Sequence, residues 1–207
     1  MVTFYSIKIL LTLFVIILIP VYWSNYGFQN FLWFSDIGLF LTVLALWLES
    51  PLLISVAVIA ILPVEIVWNI DFFAQLATGH TILGLASYMF DQKYSLFLRS
   101  LSLFHIFIPI LWFWYIFKWG YDKRAFKYAI LLIWVVLITT YMYTTPHENI
   151  NWLFLPEIRH WLYISRLEWL AILMVGLPLL LLWPMHILFL VAFLNPLNIH
   201  TKHGKNI

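Results

Sequence analysis

Cysteine is absent from the 207 residues, which excludes disulfides, thiolate nucleophiles and sulfur-ligated metals. Charge is almost as scarce: Asp, Glu, Lys and Arg make up 10% of the chain, against 64% hydrophobic residues. Soluble domains carry about a quarter charged residues, so composition alone removes that class and makes lipid the solvent. The eleven Lys and Arg form no dense patch, and nucleic acid is excluded as a partner. No HxxxH or HExxH pair is present, and no span holds a central Lys for a Schiff base; no metal or cofactor is expected. Repeats, heptads and low-complexity linkers are also missing. The chain therefore reads as a single integral membrane domain over 1–207, with a short polar tail at 195–207.

What is present is apolar length. Mean hydropathy is +0.96, and segments near 5–23, 31–48, 51–70, 72–90, 98–118, 126–145 and 168–194 each approach the about 20 apolar residues that a crossing needs. The predicted fold is an all-α polytopic transmembrane bundle of six or seven spans, with 72–90 either crossing or lying re-entrant or tilted. Lys8 precedes an apolar run through Ile19 with no small-residue cleavage site after it, so the first span is expected to stay as an anchor. Trp and Tyr gather toward segment ends, as interfacial belts do.

Orientation follows from the basic residues. The 118–127 connector holds Lys118, Lys123, Arg124 and Lys127, and the tail adds Lys202 and Lys205, which makes both regions cytoplasmic. Lys93, Arg99, Arg159 and Arg166 fall on the opposite side. With six spans Lys8 is cytoplasmic and seven of the eleven basic residues lie inside; with seven spans the margin shrinks to six against five.

Against this background the polar residues at membrane depth stand out, because an ionisable group inside a span costs roughly 2.5–3.5 kcal/mol on insertion scales and is retained where it serves as ligand, relay or catalyst. Ser35 and Asp36 interrupt the apolar run 30–47. Ser102 lies one turn before His105, and Pro109 follows one turn after, marking a kink beside an imidazole suited to proton transfer near neutrality. Glu65 lies near the end of its predicted span, where a carboxylate can snorkel to the interface. Asp71, Gln75 and Thr78 share one helical stripe that should border the interior. His80 lies between Gly79 and Gly84, which permit close approach of backbone or ligand. His186 is expected to be structural.

In a hydrolase, Ser35 or Ser102 attacks, His105 takes the proton, and Asp36 orients the imidazole. Asn69, Asn149 or Asn151 would donate to the oxyanion, with Asp71 and His80 completing the substrate-binding set. Ser35 and Asp36 point about 100° apart on a helix, so the two cannot aim at one atom. The rival classes are a carrier or channel using Asp36, Glu65, His80 and His105 as a proton or cation path, and a haem or metal protein using His80, His105 or His186. The expected partners are the bilayer and, for a hydrolase, a lipid substrate; oligomeric state is open.

The strings NFLWFSDI (30–37), SYMFD (87–91), GYDKRA (120–125) and ENINW (148–152) resemble those of a family of uncharacterised bacterial integral membrane proteins, which implies residence in a bacterial inner membrane and no particular activity. The FLWFSDI run (31–37) with His105 and Pro109 is also similar to the androgen-induced-protein-like intramembrane hydrolases. That resemblance implies cleavage of fatty-acid esters by a hydroxyl nucleophile and a His. Trp33 stands where that pattern has Thr, the His-to-Pro spacing is one residue shorter, and only Ser35, two positions on, can replace the nucleophile.

Overall fold

The computed structural model describes residues 2–154 and 161–194; the tail at 195–207, with Lys202 and Lys205, and Arg159 lie outside the described residues. Helices account for all regular structure among these. They are α1 (Val2–Tyr26), a 3-10 turn at Phe28–Leu32, α2 (Phe34–Trp47), α3 (Pro51–Thr78), α4 (Leu96–Leu101), α5 (Phe104–Trp119) and α6 (Ala125–Tyr143). After them come α7 (Arg166–Leu177), a π-helical turn at Pro178–Leu182 and α8 (Trp183–Leu194). Five stretches are long and apolar enough to cross a membrane: Tyr5–Tyr26, Pro51–Thr78, Leu96–Trp119, Ala125–Tyr143 and Arg166–Phe193. α2 is apolar but shorter, at 14 residues. The molecule thus has the helices of a multi-pass membrane protein.

The predicted spans 51–70 and 72–90 are one helix. Ser50 caps α3 by accepting from the Leu53 amide, Pro51 sits in its first turn, and the helix runs through the internal Pro63 as far as Thr78. Gly79 ends the helix in the left-handed region at φ 76°, its amide bonded to the Gln75 carbonyl. Residues 80–95 then fold back as a connector whose only regular element is a 3-10 turn at Ser87–Met89, so 72–90 is neither a crossing nor a re-entrant helix. Likewise 98–118 is two helices broken at Ser102–Leu103, and the 31–48 segment becomes helical only at Phe34.

α3 is the centre of the bundle. The side chains from Ile54 to Leu62 are all buried, which suits a helix apolar on every face and packed on several sides. It contacts α2, α5 and α6. At the α2 crossing a β-carbon on Gly38 would stand 3.1 Å from the Trp112 ring and 3.2 Å from Ile61, so the lack of a side chain lets three helices meet. Thr42 donates to the Gly38 carbonyl at 2.6 Å and accepts the Trp112 indole N–H at 2.6 Å, so that crossing has its polar atoms satisfied.

Proline in a membrane helix removes a donor and leaves the carbonyl four residues earlier without its helical partner. Two such carbonyls are supplied from neighbouring helices. Pro109 frees the His105 carbonyl, which accepts Asn69 Nδ2 at 2.6 Å; Pro178 frees the Met174 carbonyl, which accepts Trp134 Nε1 at 2.7 Å.

The bundle has two distinct ends. At one, Lys8 pairs with Glu49 at 2.7 Å, the Asp122 amide donates to Ser55, and Tyr121 bonds His186. The start of α1, the α2–α3 turn, the α5–α6 connector and α8 therefore share a level. At the other end lie the 27–33 turn, the 79–95 connector and the 144–154 connector, and the polar cluster is there.

Candidate functional site

A carboxyl and an imidazole meet where α3 and α5 cross. Glu65 Oε2 lies 2.7 Å from His105 Nδ1, with Glu65 fully buried and His105 7% exposed. The ring is held between two aromatic faces, with Trp68 stacked at 4.3 Å and 14° and Phe104 at 4.3 Å and 20°. Asn69, one turn beyond Glu65, bonds both the Glu65 and the His105 carbonyls, which fixes the two helices at this level. Backbone, ring plane and Nδ1 are all constrained. Nδ1–H donating to the carboxylate leaves Nε2 as the proton acceptor, and Nε2 makes no hydrogen bond among the described residues.

The position of Glu65 corrects the sequence reading. It is mid-helix because α3 runs on to Thr78, and its side chain is fully buried. It is also Glu65, not Asp36, that orients His105. The stripe Glu65, Trp68, Asn69 and Phe72 has i, i+3, i+4, i+7 spacing, a pattern that marks one helical face. That pattern is the signal by which Glu65 could have been found.

His105 opens onto a cavity of about 580 Å³ whose wall also holds Ser35, Asp36 and Ser102. Ser102 and Tyr22 share a hydroxyl hydrogen bond of 2.7 Å, whereas the Ser35 hydroxyl makes none among the described residues. Asp36 is 3% exposed; Oδ2 accepts a long 3.3 Å bond from Asn30, and Oδ1 has no partner among the described residues. Tyr88, from the 79–95 connector, closes another part of the wall, and burial pushes its phenol above the ordinary value, so it remains a hydroxyl donor at working pH. Tyr22, Tyr88 and Glu148 were not singled out from sequence, since each reads there as an interfacial or loop residue.

The expected binding groups lie elsewhere. Asn69 is committed to two carbonyls, one of them freed by Pro109. Asp71 Oδ1 accepts the amides of Ile82, Leu83 and Gly84, and Oδ2 that of Ala86, so its role is to pin the connector to α3. Of the predicted stripe, Asp71 is buried and Gln75 half-buried, but Thr78 is exposed. His80 is exposed beyond the helix end, because Gly79 serves as the C-cap and not as a site of close approach. Asn149 accepts the Phe154 amide. Asn151 accepts the Phe34 amide at 3.0 Å and donates to the Leu32 carbonyl at 2.8 Å, which anchors the start of α2. None of these five is among the residues lining the cavity. Asn149 and Asn151 have φ of 44° and 54°, a left-handed conformation that Asn tolerates at low cost.

His186 is bonded to Tyr121 at the opposite end of the bundle. The 16 residues of α5 separate that level from His105, about 24 Å at 1.5 Å per residue, so these two cannot ligate one haem. Among the described residues no three His, Asp or Glu side chains converge as a metal site. No family model matches the chain, and no curated protein or solved structure matches it.

Proposed function

We propose that this is an intramembrane hydrolase of acyl esters in which Ser35 is the nucleophile, His105 the base and Glu65 the residue that orients it. The observation that carries the reading is the 2.7 Å Glu65–His105 contact, because a carboxylate on Nδ1 turns the other ring nitrogen into a directed base. Ser35 is preferred to Ser102 because the Ser102 hydroxyl is engaged with Tyr22. In the first step the Ser35 proton passes to His105 Nε2 while Oγ bonds the ester carbon, and collapse expels the alcohol, which takes that proton back. Water then adds to the acyl-enzyme with His105 as base, releasing the fatty acid and restoring Ser35.

The same reading places the chain in a bacterial inner membrane, on the resemblance of its NFLWFSDI and GYDKRA strings. The end of the bundle with Lys8, Lys118, Lys123, Arg124 and Lys127 is then cytoplasmic by the positive-inside rule, α2 counts as a sixth crossing, and the cavity opens on the other side.

A serine-reactive fluorophosphonate is expected to label the detergent-solubilised protein. Label should be lost in Ser35→Ala and His105→Ala and kept in Ser102→Ala. Absence of labelling, or label surviving in His105→Ala, contradicts the proposal. A second reading, a proton or cation path, is favoured by Asp36 Oδ1 and Glu65 Oε1, which have no hydrogen-bond partner among the described residues. It predicts proton flux in proteoliposomes that disappears in Asp36→Asn and persists in Ser35→Ala, and a flux-silent protein rules it out.

A further inference from the structure

With Glu65 assigned to His105, Asp36 is left as a buried carboxyl that the hydrolytic step does not use. We propose that Asp36 and the aromatic wall of the cavity form a binding site for an organic ammonium group, so that the substrate is an acyl ester bearing a positive charge near the ester bond. For turnover this inference rests on the hydrolase reading; for binding it does not.

Three observations converge. Asp36 is 3% exposed, lines the cavity and has one carboxyl oxygen without a partner among the described residues. Such an atom costs free energy until a ligand, cation or proton satisfies it. Secondly, eight of the twenty lining residues are aromatic, among them Tyr22, Tyr26, Trp33, Tyr88, Tyr94 and Trp152. Ring faces attract cations, most strongly where water is excluded, and quaternary ammonium groups are commonly held in such cages. Thirdly, the acidic residues among the lining set are Asp36 and Glu148, the basic ones are His105 and His147, and no Lys or Arg among the described residues joins them. The pocket therefore disfavours a free carboxylate or phosphate and favours a cation.

The geometry also separates ammonium ions from metals. A hard divalent ion is usually held by several carboxylates, and no group of three His, Asp or Glu side chains gathers around Asp36 among the described residues. An alkylammonium asks only for one carboxylate and several ring faces. The Asn30 amide, 3.3 Å from Oδ2, is the one hydrogen bond on the Asp36 carboxyl among the described residues.

Calorimetric titration of the detergent-solubilised full chain with choline and with neohexyl alcohol, its uncharged carbon isostere, tests the inference directly. Choline is expected to bind about tenfold or more tightly than the isostere, and Asp36→Asn should remove that difference. Equal binding of the two probes by the wild-type protein, or no binding of choline, overturns the ammonium site whether or not the variant folds. Hydrolysis of decanoylcholine and neohexyl decanoate is measured alongside. If choline binds but neither ester is cleaved, the hydrolase reading fails and the ammonium site stands; if both esters are cleaved equally and choline has no advantage, the reverse holds.

Discussion

His105→Ala is expected to destabilise the protein by about 3–5 kcal/mol, the usual cost of leaving a buried carboxylate without the partner that satisfies it. Glu65 is fully buried, its Oε1 already lacks a hydrogen bond among the described residues, and His105 is the partner of the other oxygen. Deleting the imidazole also empties the space between the Trp68 and Phe104 rings. The informative comparison is the double variant His105→Ala/Glu65→Leu, which should recover much of the loss because no buried carboxyl remains to be satisfied. Equilibrium unfolding in detergent provides the measurement. A single variant costing no more than about 1 kcal/mol, or strictly additive effects in the double, would contradict a coupled buried pair. Glu65→Gln separates stability from chemistry: it keeps a hydrogen-bonding atom beside Nδ1 but not the charge, and fluorophosphonate labelling should slow by about 10²–10⁴-fold while the fold persists.

Asp71→Ala is the second large effect, again about 3–5 kcal/mol, for a different reason. One carboxylate accepts four backbone amides of the connector, at 2.9 Å from Ile82, 2.7 Å from Leu83, 3.3 Å from Gly84 and 2.9 Å from Ala86. Each orphaned buried donor costs about 1–3 kcal/mol, but residues 82–84 are exposed and rehydrate, so the total stays well below four times that figure. Ala86 is fully buried and bears most of the cost. Gly84, Leu85 and Tyr88 of this connector line the cavity, so its release should loosen the site as well as the fold. Hydrogen exchange at residues 82–86 should accelerate strongly in the variant, with little change in the first half of α3. Unchanged exchange there would show that the connector is held by its apolar contacts with Trp68 and Phe72 alone.

Much of the architecture was legible because hydrophobic length is a one-dimensional signal. The apolar runs at 5–23, 98–118, 126–145 and 168–194 all appear as long helical stretches, and the scarcity of charge made the class plain. The failure over 51–90 has a physical source. Segmenting at Asp71 treated an acidic residue as the end of a span, whereas its carboxyl is satisfied by backbone amides from the connector and α3 continues past it. A partner 11 to 15 residues away through a turn leaves no periodic trace. The site was legible as an inventory and not as an arrangement. Ser35, Asp36, Ser102 and His105 line one cavity, yet which carboxyl meets His105 depends on how α3 and α5 cross, and spacing within either helix does not encode that. Asn69 and Asn151 look from sequence like available amides. Their donors are consumed by carbonyls, one exposed by a proline on another helix and one at the entry to α2.

The brevity of α2 has its own consequence. Its 14 residues measure about 21 Å, some 10 Å less than a typical hydrocarbon slab, and Ser35 sits in the first turn of its polar-flanked end. With α2 as the proposed sixth crossing, acyl chains beside it would shorten or splay, drawing the glycerol-depth region of the leaflet toward its start. On the proposed lipid-directed reading, a lipid linkage would be brought to the mouth of the cavity without being lifted out of the bilayer, and turnover would respond to bilayer thickness, rising in thin membranes and falling in thick ones.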